Sequence, residues 1–496
     1  MMLILTVVFP ILYGALLLCF REGSMSEKAI RRYAVTGLSL EVPLLVLACF
    51  TPAPGTVFPL NDVIRLSLRM DPCGRFFAWV ILIVWLLAGI YSLEYMKHEE
   101  NNRRYFSFYL MSLGVLMGLC ASANLYTFYL FYELMTLSTF VLVLHNRSRE
   151  ALMAALKYLF YSFAGAYMVL FGIYFLYRNA SDPGLTFTQG GIGLTGVPSF
   201  VLLFMILGFS VKAGCFPMHG WLPTAHPVAP APASAVLSGI IVKAGVLGII
   251  RTVLYLFGQD AFAGTRIRTV VLVLSIITIF MGSMLAYREP VLKKRLAYST
   301  VSQVSYILFG IFAADPDMIS MKGAMLHVAA HAMIKSALFL IAGAIIYNTG
   351  CTRVEELRGI GRKMPVLMWC YTICSLGLIG IPPFGGFTSK WYLALGALSA
   401  DGPGILGVVG VAVLLVSALL TAGYLLPISI HAFLPGKGFS DETAVSSKEE
   451  ASSEEPVRFF APAYRMAGEP KKVMLIPILL LTVFSVLIGL FPEVLL

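Results

Sequence analysis

The fold is decided by an interrupted apolar stretch, residues 211–223, which reads Val-Lys-Ala-Gly-Cys-Phe-Pro-Met-His-Gly-Trp-Leu-Pro. Gly214, Pro217 and Gly220 break what is otherwise a helix-forming apolar run. A similar break, Ile-Pro-Pro-Phe-Gly-Gly-Phe at residues 381–387, interrupts a later run. Non-helical backbone at membrane depth is tolerated only where it is buried in protein or lines water. The two breaks therefore predict helices that place polar backbone inside a membrane protein.

The composition supports this class. Of the 496 residues, 58% are hydrophobic and only 12% are charged, and many segments reach the ~20 apolar residues that cross a bilayer. The net charge of +10 does not indicate nucleic-acid binding, because most basic residues lie in short loops, where they set orientation. We interpret the N-terminus as a first span and not as a signal peptide.

Fourteen apolar runs predict an all-α polytopic membrane protein. They are residues 2–20, 35–51, 74–93, 105–121, 125–144, 152–177, 198–218, 231–257, 268–287, 296–314, 321–346, 364–399, 404–433 and 472–493. Loops after the odd-numbered spans carry 23 Lys and Arg, and the opposite loops carry eight. This asymmetry predicts that both termini face outwards.

The breaks fall in spans 7 and 12, which are an odd number of spans apart and so run in opposite directions. This predicts two inverted five-helix repeats, spans 4–8 (residues 104–257) and spans 9–13 (residues 267–433), a feature of transporters. Within one membrane domain, 1–496, we expect peripheral helices in 1–93, a flexible cytoplasmic loop in 437–470 and a last helix in 471–496.

Five lysines lie within the apolar runs, and we expect Glu133 to be the only carboxylate at comparable depth. The lysines are Lys157, Lys212, Lys243, Lys335 and Lys390. Each costs ~3 kcal/mol at the centre of a bilayer, so the group indicates proton chemistry. Lys212 is the expected close partner of Glu133, and a static buried ion pair is the alternative. The other lysines are then neutral part of the time, or are neutralised by a neighbouring subunit.

His327, His331 and Lys335 lie at i, i+4 and i+8 and share one helix face. This histidine stripe predicts a proton relay; packing is the alternative, and a metal site is disfavoured because no acid or cysteine shares that face. His219 and His226 are candidates for proton uptake, or are simply exposed. Four polar side chains in span 10 either bind water along this path or serve helix packing. They are Tyr298, Ser299, Ser302 and Gln303.

Four motifs resemble the antiporter-like subunits of respiratory complex I, the large subunits of Mrp-type cation/proton antiporters and matching subunits of membrane-bound hydrogenases. They are Phe-Tyr-Glu-Leu-Met (131–135), Lys-Ala-Gly-Cys-Phe-Pro-Met-His-Gly-Trp-Leu-Pro (212–223), Leu-His-Val-Ala-Ala-His-Ala-Met-Ile-Lys (326–335) and Gly-Ile-Pro-Pro-Phe-Gly-Gly-Phe-Thr-Ser-Lys (380–390). The resemblance covers nearly the whole chain and implies fourteen helices with two inverted repeats.

The resemblance also implies a proton path. Glu133 would pair with Lys212 in the uptake half, and Lys243 would be the central relay, linked through the histidine stripe to Lys390 near the exit. Lys157 matches a basic position in the sixth helix of the family. Two departures are Lys390, where some members carry glutamate, and Thr224, where many carry aspartate.

We therefore expect a proton-translocating, antiporter-like subunit of a multisubunit redox complex related to NADH dehydrogenase or hydrogenase, in a prokaryotic cell membrane. Its expected partners are other membrane subunits, with a peripheral redox arm as a further candidate. No motif indicates a cofactor, a metal or a redox centre in the chain itself. The alternative is a subunit of an Mrp-type Na⁺/H⁺ antiporter without redox chemistry. The buried lysines argue against a mere structural scaffold.

Overall fold

A computed structural model of the chain describes residues 1–21, 24–50, 55–61, 64–194, 196–399, 402–434 and 468–494. Its α-helices are α1 (Met2–Cys19), α2 (Glu27–Phe50), α3 (Pro72–Tyr95), α4 (Asn102–Cys120), α5 (Leu125–Val143), α6 (Arg149–Asn179), α7 (Ser199–Ala213), α8 (Leu222–Val228), α9 (Ala231–Val236), α10 (Val242–Ile250), α11 (Gln259–Ala263), α12 (Arg266–Arg288), α13 (Leu292–Ala313), α14 (Ile319–Thr349), α15 (Pro365–Ile379), α16 (Gly385–Ala397), α17 (Ile405–Phe433) and α18 (Lys472–Leu490).

Shorter elements join these helices. Two π-helical segments, Leu237–Ile241 and Arg251–Phe257, continue α9 and α10 into one helix, Ala231–Phe257. One antiparallel hairpin, β1 (Thr56–Pro59) and β2 (Arg65–Leu68), lies between α2 and α3, and the sequence analysis did not predict it. Single 3₁₀ turns complete the connections at Met96–His98, Val354–Leu357, Ile360–Arg362 and Pro492–Val494.

The protein is a mostly helical, multi-pass membrane protein, as its composition predicts. In the described residues, 11 helices are long and apolar enough to cross a membrane. The apolar helices α7 and α15 are shorter, because each is one half of an interrupted span. The predicted loop 437–470 lies outside the described residues up to position 467.

Three helices form the interior of the bundle. The most apolar windows of Ala231–Phe257, α13 and α14 are 100%, 94% and 94% buried, whereas that of α17 is only 28% buried. Leu419 of α17 is 74% exposed, which suits a side chain facing lipid tails. Polar side chains on the three central helices therefore face protein and not lipid.

Both interruptions predicted from glycine and proline are present. Helix α7 ends at Gly214, whose φ is 75°, and helix resumes at Leu222. Helix α15 ends at Gly380, whose φ is 92°, and helix resumes at Gly385. Because positive φ is costly for residues with a Cβ, glycine is the residue that allows a helix to end in this way.

The expectation of a single carboxylate at depth is wrong. Glu41 of α2 is fully buried, and neither carboxyl oxygen has a hydrogen-bond partner in the described part of the chain. The predicted span began at residue 35, whereas α2 begins at Glu27. The longer helix carries Glu41 away from its end and into the packed interior.

Candidate functional site

Lys212 is held by hydroxyl groups at the end of α7. Its side chain is fully buried, and Nζ donates to Tyr158 Oη at 2.6 Å and Ser162 Oγ at 2.8 Å, both on α6. Nζ also lies 3.9 Å from the centroid of the Tyr158 ring, where a cation is attracted to the π face. Lys212 therefore has neutral hydrogen-bond partners.

The close ion pair expected between Glu133 and Lys212 does not form in this structure. No Glu133–Lys212 pair lies within 4 Å among the ion pairs of the described residues. Glu133 is half-buried on α5, and its Oε1 lacks a hydrogen-bond partner in the same residues. The Lys212 ammonium donates to Tyr158 and Ser162 instead. The pairing of Glu133 with Lys212 during proton transfer therefore stays a prediction.

Lys157 lies beside the first break. It is half-buried on α6, and its Cε lies 3.9 Å from the place where a Cβ on Gly220 would stand. The hydroxyl of Tyr161, one turn further along α6, lies 2.8 Å from that same place. A Cβ at position 220 would displace the Tyr161 hydroxyl but only touch Lys157, so the glycine lets α6 and the broken segment approach closely at Tyr161.

Lys243 contacts the histidine stripe directly. It lies on α10 just after the π-helical segment Leu237–Ile241, a kind of segment that is frequent at functional sites. Its Nζ donates to the Ser238 carbonyl at 2.9 Å and lies 2.5 Å from His331 Nδ1. The only hydrogen bonds found for this buried cation in the described residues are therefore to neutral atoms.

The stripe continues from His331 towards the second break. The rings of His331 and His327 are 6.0 Å apart, and His327 Nδ1 lies 2.8 Å from Ser389 Oγ. Both Nε2 atoms are buried and unpartnered in the described residues. The next residue, Lys390, has Nζ 5.0 Å from the centroid of the Tyr306 ring, which itself stacks on His327 at 5.5 Å.

Lys390 caps the carboxyl end of α15, the first half of the second broken span. Its Nζ donates to the carbonyl oxygens of Leu378 at 2.7 Å and Ile379 at 2.8 Å. These carbonyls end α15, where the helix dipole favours a cation. Lys212 lies in the last turn of α7, so both half-helices that end at a break have a lysine ammonium close to their carboxyl ends.

Lys335 occupies the same face of α14 as the two histidines, as predicted from the spacing, and it is fully buried. Its Nζ donates to the Leu296 carbonyl of α13 at 3.1 Å. Unlike Lys243, it is therefore bonded to the backbone of a neighbouring helix, and no hydrogen bond joins it to His331 within the described residues.

Two further buried groups escaped the sequence reasoning. His226, interpreted as a possible exposed loop residue, is fully buried on α8, stacks on Phe339 at 4.7 Å, and has two unpartnered ring nitrogens among the described residues. Lys293, counted as a loop cation, is only 7% exposed and donates to the Ala229 carbonyl at 2.9 Å. Helix α8 packs against α13, which brings the two together, and no local signal in the sequence reports that contact.

The serines of α13 serve mainly the contacts between helices. Ser302 Oγ lies 2.8 Å from Ser283 on α12 and 3.2 Å from Ser417 on α17, and Ser299 accepts a hydrogen bond from Tyr424 at 2.7 Å. Within the described residues, no three His, Cys, Asp or Glu side chains are grouped as metal ligands.

Residues 122–424 match the family model described as "NADH:quinone oxidoreductase/Mrp antiporter, TM", and residues 59–106 match the model of the N-terminus of complex I chain 5. NADH-quinone oxidoreductase subunit N of Desulforudis audaxviator is 33% identical over 86% of this chain and 82% of its own length. Hydrogenase-4 component B of Escherichia coli is 33% identical over 67% of this chain, which spans only 51% of that protein.

The fold is similar to a chain of the Mrp complex from Dietzia sp. DQ12-45-1b, with a TM-score of 0.82 and 22% identity over 99% of this chain and 95% of that one. The resemblance carried by the four motifs is thus confirmed over most of the sequence. The chain belongs to the family of antiporter-like membrane subunits shared by NADH:quinone oxidoreductases, related hydrogenases and Mrp antiporters.

Proposed function

We propose that the protein translocates protons as the antiporter-like subunit of a multisubunit respiratory-type redox complex related to NADH dehydrogenase or hydrogenase. The observation that carries this proposal is the buried chain of contacts from Lys243 through His331 and His327 to Ser389, beside Lys390. Every member is an amine, imidazole or hydroxyl, which are groups that accept and release protons.

Repulsion between positive charges favours proton transfer along these contacts from Lys243 towards Lys390. Two positive charges 4 Å apart repel by roughly 4 kcal/mol at an effective dielectric near 20. That energy changes a protonation equilibrium roughly a thousandfold. A proton arriving on Lys243 therefore disfavours a second proton on His331, 2.5 Å away, and promotes transfer to His327 and on towards Lys390.

The uptake half is assigned to the first break. Glu133 and Lys212 lie on the neighbouring helices α5 and α7 without a direct ion pair in the described residues, and Lys157 lies next to the broken segment. Movement of Glu133 towards or away from Lys212 changes how firmly that lysine holds its proton. A neighbouring subunit is the proposed source of this movement, because Glu133 is half-buried on the rim of the chain and not enclosed by it.

His226 and Lys293 are added to this half. Lys293 lies one turn along α13 from Leu296, whose carbonyl accepts from the buried Lys335. The Lys293 ammonium itself donates to the carbonyl of Ala229, which directly follows α8, the helix of His226. His226 is accordingly an internal proton carrier in the proposal and not an exposed residue. This arrangement supplies a second route towards the centre of the protein.

The finer architecture belongs to the same proposal. Fourteen crossings result if α4 and the two interrupted spans are added to the 11 long apolar helices. Spans 4–8 and 9–13 would be inverted repeats, with both termini outside and the membrane of a prokaryotic cell as the location. The support is that each repeat has a half-helix ending at a positive-φ glycine with a lysine nearby.

The proposed partners are other membrane subunits, with a peripheral redox arm supplying energy, because no motif in the chain indicates a redox centre of its own. An Mrp-type Na⁺/H⁺ antiporter subunit is the alternative, because the matching family model spans both classes. The two are distinguished by the driving force, which is an electron donor for the first and a Na⁺ gradient for the second.

The test is Lys243→Met in the assembled complex, in inverted membrane vesicles of its host. Proton uptake is followed with a pH-sensitive dye, driven by NADH, by hydrogen, or by an imposed Na⁺ gradient. We expect proton uptake by vesicles with the Lys243→Met complex to fall to the level measured in vesicles without the complex. The control is Lys322→Met, which replaces an exposed lysine on α14. The complex with this variant should pump protons at the normal rate. Unchanged pumping by an assembled Lys243→Met complex would exclude Lys243 from the path.

A further inference from the structure

A cleft of about 540 Å³ lies at the basic end of the bundle, where α2, α3 and α18 meet. Lys28, Arg31 and Arg32 of α2 line one wall, and Lys97 lines another. None of these residues belongs to the proton path. The cleft is open to the surface at the level where these helices begin and end.

Among the described residues, acidic side chains do not balance the positive charge of this cleft. The only acidic residue in the first turn of α2 is Glu27, which is 3.8 Å from Arg31 and also accepts from Asn102 at 2.5 Å. Three cations therefore crowd the start of a helix whose dipole is positive at that end. Such a site is stabilised by an anion.

The carboxylate in the opposite wall cannot supply this anion. Glu94 accepts hydrogen bonds from Lys97 at 2.5 Å and from Lys471, just before α18, at 2.7 Å. It is therefore already shared between two ammonium groups. In the part of the chain that the structure describes, five cations around the cleft face two carboxylates, and Lys28 and Arg32 form no ion pair within 4 Å there.

The deeper part of the cleft is apolar. Val35 lies one turn further along α2 than Arg32, and Leu93 and Val473 complete the lower wall. Val35 is 37% exposed and Val473 is 40% exposed, so both are available to a hydrocarbon chain. A small inorganic anion would contact the cations but would leave this apolar wall unused.

We propose that the cleft binds an anionic phospholipid, with its phosphate on Lys28, Arg31 and Arg32 and an acyl chain along Val35 and Val473. Arginine binds phosphate through paired N–H donors, and basic clefts between transmembrane helices hold acidic head groups. The bound lipid would bridge α2 to α18 and so join the first helices of the chain to the last.

The experiment uses the complex solubilised in a neutral detergent. Thermal melting is measured with added phosphatidylglycerol, phosphatidylcholine or inorganic phosphate, and co-purified lipid is quantified after extraction. We expect only phosphatidylglycerol to raise the melting temperature. Lys28→Gln/Arg32→Gln should weaken this effect about tenfold or more in concentration, as expected from losing charged hydrogen bonds.

The matched control is Arg266→Gln/Lys322→Gln, which removes two exposed cations from the first turns of α12 and α14 and should respond as the natural protein does. If the first double variant does not fold, Val35→Trp fills the apolar wall with all charges intact and should also abolish the response. Equal stabilisation by phosphate or by phosphatidylcholine, or an undiminished response of the variants, would overturn the proposal.

Discussion

The lysines of the site are held by neutral atoms and not by paired carboxylates. Lys212 donates to two hydroxyl groups, Lys390 to two carbonyls, and Lys243 to a carbonyl while touching an imidazole. Such partners satisfy the N–H donors but do not fix the charge, because no carboxylate among the described residues lies within 4 Å of these ammonium groups to oppose loss of the proton. This suits groups that must change their protonation state during each cycle.

Ser389 is expected to position His327. Ser389→Ala removes the oxygen 2.8 Å from His327 Nδ1 and leaves both ring nitrogens unpartnered. We expect proton pumping to fall about tenfold, the equivalent of one hydrogen bond, with assembly unchanged. Pumping in vesicles measures the effect, and Ser399→Ala, which loses only a bond within α16 and its end, is the control. Equal rates in the two variants would contradict the assignment.

His145 gives the protein an acid-sensitive stability outside the membrane-spanning helices. It is 3% exposed, and burial, with nearby Arg104, lowers its pKa to about 4. The unfolded chain binds the proton near pH 6.5, so the stabilisation is complete above that pH and is lost as pH falls towards 4. From pH 7 to pH 5 the loss is about 2 kcal/mol. As pH falls from 7 to 5, the melting temperature of His145→Phe should decrease less than that of the natural protein. An equal decrease in both proteins would contradict this prediction.

At the scale of elements, the broken helices do two things at once. Glycine at positive φ ends each first half, at Gly214 and Gly380. The ends so created expose carbonyls to which a cation can bind, and Lys390 uses those of α15. The same backbone feature that interrupts the span therefore also positions the ammonium of Lys390, which we propose as a proton carrier.

Gly380→Ala tests this coupling. Its added Cβ would lie 3.0 Å from Lys390 Cδ and 3.3 Å from Nζ, so the lysine side chain must move by a few tenths of an ångström, which weakens its hydrogen bonds to the carbonyls that end α15. Gly350→Ala is the matched control, because its φ of +74° is similarly unfavourable and no atom lies within 4 Å of its Cβ. Each should lose ~1 kcal/mol of stability from the backbone. Only Gly380→Ala should lose proton pumping, and equal pumping in both would disprove the link.

At the scale of the whole molecule, a buried ion pair between Asp71 and Arg251 joins the start of α3 to the helix Ala231–Phe257. Arg251 in the π-helical segment Arg251–Phe257 donates to both carboxyl oxygens of Asp71, with Nη2 at 2.8 Å from Oδ1. Its guanidinium is also 4.6 Å from the Tyr255 ring centroid. Arg251 is only 1% exposed, and the Phe187 ring lies 5.0 Å from its guanidinium.

A double-mutant cycle tests the contribution of this pair. Arg251→Met leaves Asp71 without its partner and should cost 3–5 kcal/mol, an approximate range for breaking a buried pair. Asp71→Asn keeps the cap of α3, where residue 71 accepts from the Gly74 N–H at 2.7 Å. The double variant should be less destabilised than the sum of the singles in thermal unfolding. Additive losses would mean that the two charges stabilise the fold independently.

Much of this molecule could be predicted from its sequence. The helical spans, the two interruptions, the family and the buried positions of Lys212, Lys243 and Lys335 follow from hydrophobicity, glycine and proline. These properties act locally, since a bilayer selects apolar helices segment by segment. The face shared by His327, His331 and Lys335 follows equally from helical geometry.

Only the tertiary structure decided which groups meet. Lys243 and His331 are 88 residues apart in sequence, and Lys212 is bonded to Tyr158 and Ser162 and not to the expected Glu133. The burial of Glu41, His226 and Lys293 was likewise hidden. The reason is that contacts between helices depend on the rotation and crossing of packed neighbours, and these are properties of the assembled bundle that no single segment of sequence encodes.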